Sequence, residues 1–208
     1  VPEPARPDGG VVTGRYAIAR FRLEAEGKPS HAGARLAEGR SAIAEMARQI
    51  LAIEAMTTAD ATFSVGVLRG GEWVNCVATT CTAQALTMAR RQADLDRAVA
   101  TMEALGPIGQ GVRFRAVRTV VRPVWEADAS TMALWERASR IAHGLGFAIP
   151  PQSAGGGSDA NFTGAMGIAS LDGLGLGGDG FHTLDEHIDE ATVLARTRLL
   201  AGLLATLD

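Results

Sequence analysis

The chain has 208 residues, 47% hydrophobic side chains and a mean hydropathy of +0.09, enough apolar material to bury at least one core and fill one or two domains. Twenty basic against twenty-three acidic side chains leave a net charge of −3, which provides no basic footprint for nucleic acid or an anionic membrane and points to small-molecule or protein partners. There is no run of about 18 uncharged apolar residues, so no bilayer-spanning helix is expected.

Val1 to Gly10 lacks a charged-then-apolar signal pattern and reads as though cut from the middle of something longer. Ala19, Phe21, Leu23 and Ala25 then alternate with Arg20, Arg22, Glu24 and Glu26, the pattern of a half-buried strand. After the turn residues GKPSHAG, the residues Ile43, Met46, Ala47, Ile50 and Ile53 recur at helical spacing, which predicts an amphipathic helix from about Gly39 to Met56. Phe63, Val65 and Val67 alternate again, Gly70-Gly71 suits a hairpin loop, and a further strand is expected through Trp73 to Val77 and on to Ala89. Cys76 and Cys81, five apart in that expected strand, should point to opposite faces, so a mutual disulfide is not expected. Two free thiols fit a reducing compartment, which favours a soluble, cytoplasmic protein over other settings. Leu95, Ala98, Val99, Met102 and Leu105 form another helical stripe, and Val112, Phe114 and Ala116 a last alternating strand.

Strand, helix, strand, strand, helix, strand is the order of the split βαβ unit, two helices on one face of a four-stranded antiparallel sheet. Such a sheet has free edges, and its first helix and an edge strand are placed to meet a copy of themselves in a two-fold dimer. Beyond Arg122-Pro123 the texture changes. Met132, Trp135, Ala138, Ile141 and Ala142 predict a helix, GGGSDANF a glycine-rich loop, and Val193 to Leu204 a closing helix. This part reads as one piece of a larger α/β sheet domain.

Four segments carry polar groups that chemistry can use, and each has a plainer reading. The glycines before Ser158 and Asp159 let backbone N–H groups approach an anion, or else form a flexible connection with a helix cap. His182, followed by Asp185, Glu186 and His187, suits metal ligation with a carboxylate orienting the ring, although a loop histidine is more often polar surface. Glu3-Pro4 and His31 in GKPSHAG are ordinary turn and loop residues when taken singly. His143, before Gly144, suits the negative end of a helix dipole.

Taken together, EPARPDGG, GKPSHAG, GGEWVN, GGGSDANF and GFHTLDEHID resemble, in sequence and spacing, the zinc exopeptidases and deacylases that include glutamate carboxypeptidase, acetylornithine deacetylase and succinyl-diaminopimelate desuccinylase. The likeness runs over essentially the whole chain and is strongest to the glutamate carboxypeptidase branch. It implies a ferredoxin-like dimerisation domain at 13–118, inserted in an incomplete α/β catalytic domain made of 1–12 and 119–208. It implies a site built on two zinc ions, with Glu3 a ligand to one and His182 to the other. His31 matches a residue that polarises the substrate carbonyl in the partner's active site of a homodimer. Asn75, Arg122, Gly156 and Gly157 match substrate-holding positions, the arginine suited to a terminal carboxylate.

The family's other metal ligands and its general-base glutamate have no counterpart in these residues, so the chain alone is expected to be inactive. The arginine of the family's Asp-x-Arg is replaced as well, since Leu86, Thr87 and Met88 stand there. The expected activity of the intact protein is metal-dependent release of a C-terminal amino acid from a small amide. The alternatives are N-acyl amino acid deacylation and a non-catalytic dimerisation or ligand-binding module.

Overall fold

The computed structural model describes residues 1–207. In chain order its elements are β1 (Val11–Arg15), β2 (Ala17–Glu26), α1 (Ala42–Glu54), β3 (Ala61–Gly70), β4 (Thr80–Ala89), α2 (Gln92–Glu103) and β5 (Arg113–Arg122). There follow α3 (Ala129–Gly144), β6 (Pro151–Ala154), α4 (Ala160–Ala165), β7 (Gly178–Asp179), β8 (His187–Ile188) and α5 (Val193–Thr206). The chain divides into two compact units, Ala17–Arg122 and Val1–Tyr16 with Pro123–Asp208.

In the first unit the strands lie in the order β3-β4-β2-β5, every neighbouring pair antiparallel, which is the ferredoxin-like βαββαβ arrangement. One face is apolar because of the alternation in β2 and β4: Ala19, Phe21, Leu23 and Ala25 with Cys81, Ala83 and Ala85 are buried, as are Met46 and Ile53 of α1 and Leu95, Ala98, Val99 and Met102 of α2. The opposite face carries charge. Glu24 and Glu26 stand in register with Arg115 and Arg113 and form ion pairs with them that solvent screens on this side.

Two expectations are corrected here. Trp73 to Val77 is not strand; β4 begins at Thr80, and 71–79 is a loop tied back to the segment around His31. Cys76 therefore lies in this exposed loop and only buried Cys81 is in the strand; both thiols are free. The buried stripe of α1 is also rotated from the apolar one, to Ala42, Glu45, Met46, Gln49 and Ile53, while Ile43 is exposed. Glu45 is turned inward because it has donors to meet: its carboxylate accepts from Gln49 Nε2 and from the N–H groups of Ile108 and Gly109, all at 2.8 Å.

In the second unit β1 pairs in parallel with β6. Val11, Ala138, Ala142, Ile149, Leu171, Leu174, Leu199 and Leu203 form its main core, with Trp135 packed on them and donating to the Ile149 carbonyl at 2.8 Å. Helix α3 begins at Asp128, whose side chain accepts from Thr131 N–H at 2.7 Å, and His143 lies in its last turn. A second cluster gathers Val12, Trp125, Ala154 and Ala160. Here Gly164 lies flat against the Trp125 indole, and an added Cβ would stand 2.0 Å from Cδ1. Gly164→Ala is expected to destabilise this unit by about 1–3 kcal/mol, read as a lower urea midpoint of Trp fluorescence. An unchanged midpoint would mean that the indole yields without cost.

Candidate active site

Within the ferredoxin-like unit, the loop carrying His31 and the loop carrying Asn75 are laced together. Val77 N–H donates to the Ser30 carbonyl at 2.9 Å and Ala32 N–H to the Asn75 carbonyl at 3.0 Å, with His31 and Cys76 facing each other across the bridge. The sequence places these two candidate residues 44 positions apart, and the backbone makes them neighbours. The His31 ring is fixed from below, since Nδ1 accepts from the N–H groups of Gly33 and Ala34, both at 3.1 Å. With Nδ1 an acceptor, the neutral ring carries its proton on Nε2, which leaves one exposed N–H donor. A cavity of about 400 Å³ beside them is lined by Leu36, Ile43, Trp73, Val74 and Cys76 among others. Arg122, half-buried, ends β5 opposite Ile18, and Met88, also half-buried, flanks the same Ile18 from β4.

In the other unit, Gly156 and Gly157 lie in the loop between β6 and α4. Gly156 has φ +83, a conformation that favours glycine. Arg15 holds the loop from beneath: NH1 donates to the carbonyls of Gly155 at 3.1 Å and Gly156 at 3.4 Å. The same guanidinium makes a buried ion pair with Asp172, Nε at 2.8 Å and NH2 at 2.7 Å from Oδ2. Asp172 Oδ1 accepts from Gly173 N–H at 2.7 Å, so both carboxylate oxygens are satisfied. Ser158 takes the capping role that sequence leaves open, its hydroxyl accepting from Ala160 N–H at 3.1 Å. Helix α4 is only six residues long, so its dipole adds little to an anion site.

Glu3 runs beside the segment that leads to His182. Gly175 N–H donates to the Glu3 carbonyl at 2.9 Å and Ala5 N–H to the Leu176 carbonyl at 3.0 Å. Neighbours of both candidates, Pro2 and Pro4 with Phe181 and Glu186, line one cavity of about 530 Å³. His182 is the one non-glycine residue with positive φ among the described residues, at 65°, and its N–H donates to Glu186 Oε2 at 3.1 Å. That bond closes the turn and gives Glu186 a structural role. Among the described residues no group of three or more His, Cys, Asp or Glu side chains comes together. A catalytic zinc takes about three protein ligands, so the residues present do not fit a complete zinc centre.

Residues 13–105 match the family model of the peptidase dimerisation domain. That stretch is thus similar to a peptidase dimerisation domain. Over 208 aligned residues the chain is 26% identical to carboxypeptidase G2 of Pseudomonas sp. (strain RS-16), an alignment that takes in 96% of this chain and 50% of that protein. The chain thus spans about half the length of the curated relative it matches. Among solved structures, the aminopeptidase PepT of Bacillus cereus superposes with a TM-score of 0.72 at 23% identity, over 97% of this chain and 55% of that one. An amidase of the hydantoinase/carbamoylase family from Burkholderia vietnamiensis gives 0.73 at 17% identity, over 94% and 49%. These structures share the fold. The resemblance carried by the five motifs, to the exopeptidase and deacylase family around glutamate carboxypeptidase, therefore holds.

Arg15, Asp172 and Asn161 escaped the sequence reading. For the first two a signal exists: each is the lone charge inside an otherwise uncharged run, VVTGRYA and ASLDGLG, where a charge must find a partner if the run is buried.

Proposed function

We propose that this chain is part of a metal-dependent amidohydrolase that releases a C-terminal amino acid from a small amide, with residues 13–118 as its dimerisation domain and 1–12 and 119–208 as segments of its catalytic domain. The observation that carries the reading is the His31–Asn75 lacing inside a domain that matches the peptidase dimerisation model. His31 offers its Nε2 proton to the carbonyl oxygen of a substrate held by the partner subunit of a homodimer, where it stabilises the charge that develops during water attack. Asn75 and the backbone of Gly156 and Gly157 orient the amide, and Arg122 pairs with the terminal carboxylate. Glu3 and His182 would each supply one ligand to a two-zinc site completed by residues outside this chain, the metal polarising the amide and activating water. The 208 residues alone are inactive.

A deacylase of N-acyl amino acids is the second reading, favoured by Met88, where the family carries a carboxylate-binding arginine. It asks less of that contact than a glutamate-releasing carboxypeptidase does.

The test is zinc-dependent release of free amino acid from dipeptides and N-acyl amino acids, run on this chain and on the complete gene product. Turnover by the complete product alone is expected, its preferred substrate choosing between the readings. Turnover by the 208 residues would overturn the inactive-fragment proposal, and silence from both with the fold intact would favour a non-catalytic module.

A further inference from the structure

The glycine-rich loop and the two points at which the chain leaves and re-enters its unit are held by the same two side chains. Tyr16 is the last residue before Ala17–Arg122 and Pro123 the first after it. Asn161, fully buried at the start of α4, donates through Nδ2 to the Tyr16 carbonyl at 3.0 Å and the Pro123 carbonyl at 2.8 Å. Its Oδ1 accepts from the Ser158 N–H, at the end of the glycine run, at 2.9 Å. The partners dictate this orientation of the amide, because a flipped one would set an NH2 against an N–H and an oxygen against two carbonyls. Arg15 divides its groups the same way. Its backbone exchanges bonds with Trp125, N–H to carbonyl at 2.8 and 2.9 Å, while its guanidinium grips the Gly155 and Gly156 carbonyls. Tyr16 N–H donates at 3.1 Å to Ala154, the residue just before the loop.

We propose that Asn161, together with Arg15, is a positioning residue that couples the glycine-rich loop to both chain crossings, so that loop shape and crossing geometry change together. A displacement of Tyr16 or Pro123 either breaks the Asn161 amide bonds or carries the amide along, and Oδ1 then draws Ser158 with it. Coupling of this kind is reciprocal: whatever orders the loop also orders the crossings. The proposal rests on the functional reading above only for what the loop holds, and its test requires no turnover.

Hydrogen exchange measured by mass spectrometry on the whole chain distinguishes the outcomes. Gly156→Ala disturbs the loop alone, since φ +83 strains any side chain and the nearest neighbour of the added Cβ is Arg15 NH1 at an ordinary 3.6 Å. Asn161→Asp keeps Oδ1 but sets a second carboxylate oxygen against two carbonyls. In both variants, peptides covering 153–161 and those covering 14–18 and 123–126 are expected to exchange roughly tenfold faster, while α3 and α5 keep their rates. Acceleration in the loop of Gly156→Ala with 14–18 and 123–126 unchanged would overturn the coupling. Uniform acceleration across the unit would overturn it too, by assigning these residues to general stability. The expected exchange pattern in a protein without amidohydrolase activity would leave the coupling standing and sink only the functional reading.

Discussion

Asp172→Ala is expected to lower the stability of the unit that holds the glycine-rich loop by about 3–5 kcal/mol, the usual cost of stripping one partner from a buried ion pair. The Asp172 side chain is fully buried and that of Arg15 is 9% exposed, so the orphaned guanidinium has no water to turn to. It would keep only the Gly155 and Gly156 carbonyls, and Gly173 N–H would lose its acceptor as well. Replacing both members of the pair with apolar residues should cost less than Asp172→Ala alone, because the penalty comes from the charge left behind rather than from the attraction lost. Urea unfolding followed through Trp125 and Trp135 reads this unit, whereas Trp73 belongs to the other. A cost below about 1 kcal/mol for Asp172→Ala would show that the site admits water and that the pair is not a strut.

The division between what sequence discloses and what it conceals follows the range of the interactions. Strand β2 is legible because every second residue from Ala19 to Ala25 meets the same layer of helices, and α2 because Leu95, Ala98, Val99 and Met102 are all buried where their spacing puts them. The same logic misreads α1. Hydrophobic spacing turns Ile43 inward, whereas the structure buries Glu45 and Gln49 there, and the reason lies more than 60 residues away in the N–H groups of Ile108 and Gly109. Trp73 to Val77 misleads for a related reason. Its residues have strand character, but they pair with the His31 loop rather than with β3. In the candidate site, His31, Asn75 and the glycines are visible as motif residues. The supports beneath them, Asn161 with its three bonds and the Arg15–Asp172 pair, depend on partners 3 to 157 residues distant, and for the pair the sequence offers only two lone charges with nothing local to match one to the other.

Glu45 makes that long-range dependence measurable through pH. Burial alone would raise its pKa, but the bonds from Gln49, Ile108 and Gly109, with Arg48 nearby, outweigh burial and hold the carboxyl below its ordinary 4.5. A group whose folded pKa is depressed binds more protons when unfolded, so stability rises with pH across the interval between the two values. The contribution of Glu45 is therefore complete above about 4.5, the unfolded value, and is lost as pH falls through the lower folded value. At neutral pH, Glu45→Gln should destabilise the ferredoxin-like unit by about 2–4 kcal/mol, because one of the two backbone donors would then face an NH2 instead of an oxygen. The gap between wild type and variant should narrow steadily as pH falls below 4.5. Thermal or urea midpoints collected between about pH 7 and 3 check both the size and the sign, since acid destabilisation by other carboxylates is common to the two proteins and cancels in the difference. A gap that stays constant with pH would mean that Glu45 is folded as the neutral acid, and that the loop at Ile108 and Gly109 is fixed by packing instead of by charge.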